Sequence, residues 1–103
     1  MTGIATCGLL GAVSVPRFTV VEVIYPEHRG TIGLRGSHAP LSWEHTTAPS
    51  RSDSEHHWFI LQIAEGEMLD LKLVRDGDDW AQGRNYSVHA GDHLLLQPAF
   101  DRT

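Results

Sequence analysis

No window of eleven or more residues in this chain keeps an apolar period of 3.6 without a glycine or proline breaking it, which argues against any long amphipathic helix. What recurs instead is a period of two. Residues 17–25 (RFTVVEVIY) alternate and are rich in β-branched side chains. Residues 57–63 (HWFILQI) are apolar and strand-length, and 31–35 read as a short strand. Residues 68–75 place Leu69, Leu71 and Leu73 on one face and turn Asp70 and Lys72 the other way. Asn85 to Val88 and His93 to Leu96 predict a closing hairpin around Ala90-Gly91-Asp92. One helical turn is expected near Pro40 to Trp43, and the polar stretch 42–55 (SWEHTTAPSRSDSE) predicts a long exposed loop. The fold class is therefore all-β: a small antiparallel β-sandwich of the immunoglobulin type, or alternatively a small barrel.

A chain of 103 residues with 41% hydrophobic and 20% charged residues fits one globular domain. Within it, residues 1–16 read as an N-terminal arm or first strand and 17–98 as the core. Thirteen acidic and eight scattered basic residues give a net charge of −5, so no face is basic enough to predict nucleic acid as a partner. Ile4 to Val15 is small and apolar but too short to span a bilayer, and no membrane partner is predicted. The lone Cys7 excludes an internal disulfide framework.

The three tryptophans carry the functional signal. Trp43 sits in a turn-rich segment after Gly36-Ser37, and Trp80 follows Asp76-Gly77-Asp78-Asp79 and precedes Gly83-Arg84-Asn85. An indole in a turn can cover the apolar face of a pyranose, while a nearby lysine and asparagine supply directed hydrogen bonds to hydroxyls. Trp58 opens the HWFILQI strand and reads as structural.

The ordered series Gly36-Ser37, Leu41, Trp43, Ala48, Trp58, Gly66, Lys72, Arg75, Trp80, Gly83, Asn85 resembles the starch-binding domain among carbohydrate-binding modules. That family has a Gly-Ser strand end, a Leu-Gly-x-Trp turn, a Trp-led strand, a Tyr-Lys-Phe strand and a Trp-Glu-x-x-x-Asn turn. The resemblance covers about Phe18 to Pro98. It implies that Trp43 and Trp80 are paired stacking platforms and that Lys72 and Asn85 hydrogen-bond sugar hydroxyls. The ligand it implies is an α-glucan (starch, glycogen or a maltodextrin) or another oligosaccharide, and the role is binding without catalysis.

The chain departs from that pattern in three places. Leu41-Ser42-Trp43 is one residue shorter than the family's turn and lacks its glycine. Ala81 replaces the acidic residue after the second platform, and no tyrosine occurs in 50–57, where a second site would need one. One sugar site is therefore expected.

Other readings are weaker. His56, His57, His89 and His93 invite a metal, but their spacing defines no common strand face, and neither metal nor cofactor is predicted. The C-terminal half, from Phe59-Ile60-Leu61 through His89-Ala90-Gly91-Asp92 to Pro98, also resembles a cupin lacking the metal motif. That alternative implies a barrel serving as a small-molecule sensor or oligomerisation domain, with a homodimer and an enclosed cavity. Asp76, Asp78 and Asp79 read as a solvated hairpin tip, and no nucleophile-elbow context is present, so no enzyme is predicted.

Overall fold

The computed structural model describes residues 16–100, so the predicted arm and Cys7 lie outside the described residues. Among these residues eight strands follow in chain order: β1 (Pro16–Ile24), β2 (Ile32–Gly36), β3 (Arg51–Ser52), β4 (His56–Ala64), β5 (Met68–Arg75), β6 (Asp79–Trp80), β7 (Tyr86–His89) and β8 (His93–Leu96). One sheet has the order β3-β4-β1-β8. In the other, β5 pairs with β2 along one edge and with both β6 and β7 along the opposite edge. The protein is an all-β sandwich, and no ladder joins its two sheets into a closed barrel among the described residues.

Period-two alternation explains which residues close the interior. Val21 and Val23 of β1, Phe59, Leu61 and Ile63 of β4, Ile32 and Leu34 of β2, and Leu69, Leu71 and Leu73 of β5 are all buried in one cluster. Asp70 and Lys72 face the opposite way, as their position in the alternation requires. Among the described residues no helix is long and apolar enough to cross a membrane.

Four local expectations are corrected. Residues 85–96 do not form a hairpin: β7 pairs with β5, whereas β8 crosses to the other sheet and lies parallel to β1. The sandwich is therefore not wholly antiparallel. The cause is non-local, because the 89–92 turn docks on β1 through Thr19. The Thr19 hydroxyl donates to the His89 carbonyl (2.9 Å) and accepts from the Gly91 N–H (3.0 Å), and the Val20 N–H reaches the Asp92 carbonyl at 2.9 Å.

Among the described residues the helical turn is a 3-10 turn at Glu27–Arg29, while 38–41 closes as a hydrogen-bonded turn with a cis Ala39–Pro40 peptide. The 42–55 stretch is mostly exposed but contains β3 and a bridge between Thr47 and Leu34. Asp79 is no solvated tip: it is half-buried and ion-paired with the buried Arg75 guanidinium. Arg75 also donates to the Tyr25 hydroxyl (2.8 Å). That bond first, and the Asp79 carboxylate second, hold the guanidinium pKa above its ordinary value.

His57 shows how a polar residue is tolerated inside. It is 4% exposed and both ring nitrogens are engaged, with the Tyr25 carbonyl at 2.8 Å from Nε2 and the Ser52 hydroxyl at 2.9 Å from Nδ1. A carbonyl only accepts, so Nε2 carries a proton, and in the neutral ring the Ser52 hydroxyl then donates to Nδ1.

The turn before β4 is held by the Asp53 carboxylate, which accepts from the N–H groups of His56 (2.7 Å) and Glu55 (3.0 Å). Those bonds, that from His56 foremost, lower the Asp53 pKa below 3.8. A carboxyl whose folded pKa is depressed adds stability above its unfolded value, and that stability disappears as the pH falls through the folded value. Urea midpoints measured from pH 5 to pH 2 are therefore expected to fall less steeply on the acid side for Asp53→Asn than for the native chain. Parallel acid limbs would contradict this role.

Candidate functional site

The outer face of the β2-β5-β6-β7 sheet brings the two turn tryptophans together. Trp80 lies on β6 directly opposite Val74 of β5. Val74 is out of phase with the inward leucines, yet it is fully buried, so this patch of the outer face is covered. Trp43 reaches the same face because residues 42–47 fold back along β2, where Leu34 and Thr47 exchange backbone hydrogen bonds of 2.9 and 2.8 Å. The two indole centroids are 6.1 Å apart with planes inclined at 48°. Trp43 is 37% exposed and Trp80 40%, so neither ring is tucked into the interior.

Gly33 permits this return path. A Cβ at that position would lie 2.2 Å from the Thr46 methyl and 3.1 Å from the Thr47 carbonyl oxygen. Gly33→Ala is therefore expected to push 42–47 off β2, cost about 1–3 kcal/mol of stability and displace Trp43. Urea unfolding and the Trp43–Trp80 coupling in circular dichroism measure the two effects. Unchanged values for both would show that the segment is not seated against β2.

Lys72 belongs to the same face, and Asn85 lies just before β7. Lys72 is the cross-strand partner of Arg35, and its ammonium donates to the Gly83 carbonyl, tethering the 81–85 turn over β5. Asn85 is exposed and immediately precedes Tyr86, the cross-strand partner of Leu71. Trp43, Trp80 and Lys72 thus share one side of one sheet, with Asn85 in the connection that leads into β7 and Lys72 already using one of its three donors.

Arg35 was missed by sequence reasoning. From β2 its Nε donates to the Thr46 hydroxyl (2.9 Å), Nη1 to the Trp43 carbonyl (2.9 Å) and Nη2 to the Gly77 carbonyl (2.8 Å). Its Cζ lies 5.3 Å from the Trp80 ring centroid. No local motif marks it, since its partners come from the 43–46 segment and from the turn between β5 and β6.

Trp58 points outward from the other sheet. It is half-buried, with the His56 ring stacked at 5.6 Å and the Arg51 guanidinium 5.4 Å from its centroid. Its packing is thus on the surface of the β3–β4 edge, away from the core. The signal was present in the sequence, because inward His57, Phe59, Leu61 and Ile63 leave Trp58 out of phase.

The four histidines do not meet at one point. His57 is buried and His89 approaches Asp92 (3.6 Å), whereas His56 and His93 both approach the Glu22 carboxylate, at 3.9 and 3.3 Å. Among the described residues no group of three or more His, Cys, Asp or Glu side chains could hold a metal ion. A cleft of about 220 Å³ that includes Thr31, Pro49, Ser52 and His57 shares no residue with the tryptophan site.

No family model matches this chain, and no curated protein matches it. Among solved structures it is similar to "Glycoside Hydrolase Family 15 Glucoamylase from Hypocrea jecorina", with a TM-score of 0.62 at 12% identity. The match covers 96% of this chain and 19% of that one, so the chain spans under a fifth of the glucoamylase. What the two share is the fold: a β-sandwich that also occurs within a glycoside hydrolase.

Proposed function

We propose that the protein is a non-catalytic carbohydrate-binding module that holds an α-glucan across Trp43 and Trp80. The observation that carries this reading is the pair of exposed indoles at 6.1 Å, inclined at 48°, on the sheet face that also carries Lys72. Two aromatic faces in one plane suit a flat glycan chain; two faces inclined by this much suit consecutive rings of a chain that curves, as α-linked glucose does. The β-sandwich shared with part of a glycoside hydrolase supports the carbohydrate reading at the level of architecture. Indole faces, an ammonium and an amide provide stacking and hydrogen bonds and no proton shuttle, so the proposed role is recognition.

Affinity follows from the areas. If each indole loses about 100 Å² of apolar surface to the ligand, burial contributes roughly 5 kcal/mol, and stacking adds about 1 kcal/mol per ring. Association costs of at least about 4 kcal/mol oppose this and are partly offset by the polar contacts, which places Kd between about 1 μM and 1 mM. Tryptophan fluorescence titrated with maltoheptaose or β-cyclodextrin is expected to saturate in that range, with a weaker response to cellohexaose. No change at millimolar maltoheptaose would overturn the proposal.

A further inference from the structure

Trp43 sits on the connection after β2, and Trp80 on the two-residue edge strand β6 that pairs with β5. Strand pairing fixes the Trp80 backbone but not the inclination of two exposed rings carried on separate segments. Arg35 bridges the two segments: one planar group bonds the Trp43 carbonyl, the neighbouring Thr46 hydroxyl and the Gly77 carbonyl in the turn before β6, and its Cζ lies 5.3 Å from the Trp80 ring centroid. All three guanidinium nitrogens are used, in three directions.

We propose that Arg35 is the residue that sets the specificity of this platform, by locking the two indoles at one inclination so that the site accepts curved glucans and rejects flat ones. The inference rests on the platform reading above. Its physical basis is preorganisation: a ligand that meets two rings already held in place loses less ordering entropy, and a ligand of the wrong curvature reaches only one ring. Lysine cannot substitute. It keeps the positive charge, but one ammonium on a flexible stem cannot span three acceptors that a rigid fork reaches together. Arg35 is thus a positioning residue, and charge alone does not define it.

The test compares the native protein with Arg35→Lys and Thr46→Val, the latter removing only the Nε bond. Two readouts are taken: the far-ultraviolet exciton couplet of the indole pair without ligand, and the ratio of Kd values for cellohexaose and maltoheptaose. Arg35→Lys is expected to diminish the couplet, weaken maltoheptaose binding about tenfold and bring the ratio toward one. Thr46→Val is expected to shift both readouts the same way by a smaller amount, and it carries the test if Arg35→Lys fails to fold. An unchanged couplet overturns the clamp. A diminished couplet with an unchanged ratio overturns the specificity claim. If the native protein binds neither glucan, the platform reading fails and the specificity claim falls with it; the ligand-free couplet still decides whether Arg35 holds the rings.

Discussion

Trp80→Ala is expected to weaken maltoheptaose binding about three-hundredfold while leaving the fold intact. One indole supplies half of the estimated burial, about 2.5 kcal/mol, plus about 1 kcal/mol of stacking, and together these are worth about two and a half orders of magnitude in Kd. The loss to the fold is small by comparison. Trp80 occupies a two-residue edge strand and is 40% exposed, and its main cationic neighbour, Arg35, is worth about 0.5–1 kcal/mol at such a site. Isothermal titration and urea unfolding on the same variant separate the two effects. Binding retained within threefold would show that Trp80 is not a platform.

Phe59→Ala is expected to have the largest effect on stability. Phe59 is 1% exposed, lies at the middle of β4 opposite Val21 and is among the largest fully buried side chains. Removing such a ring from a closed interior costs about 3–5 kcal/mol, a large share of the roughly 5–15 kcal/mol that holds a small domain together. The thermal midpoint should fall by at least about 12 °C, at about 4 °C or more per kcal/mol for a domain of this size. A loss below 1 kcal/mol would mean that the two sheets do not close over this ring.

The contrast between these variants tracks what was legible in the chain. Strand β5 was readable to the residue, because Leu69, Leu71 and Leu73 alternate with Asp70 and Lys72 and the inner and outer faces follow directly. The fate of β7 and β8 was not. A short turn carrying Gly91 between two apolar strands has the local signature of a hairpin, and what sends β8 to the other sheet is Thr19, seventy positions away. Loop residues 42–47 likewise look solvated in sequence; their seat on β2 depends on the bare Cα of Gly33 and on the β2–β5 register.

The candidate site divides the same way. Trp43, Lys72, Trp80 and Asn85 were marked by residue type, turn context and order along the chain. Arg35 carried no mark, since an arginine in an outward strand position is ordinarily solvated. Its role exists only once Trp43, Thr46 and Gly77 are brought around it.

The three tryptophans also provide the most direct measurement. In a ¹⁵N-labelled sample each indole gives its own N–H resonance, assignable by single substitution, and maltoheptaose can be titrated against all three at once. The glucan platform predicts that the Trp43 and Trp80 signals shift together along one saturation curve while Trp58, on the other sheet, stays in place. Movement of Trp58 with the other two still would contradict it, and so would no movement at millimolar ligand.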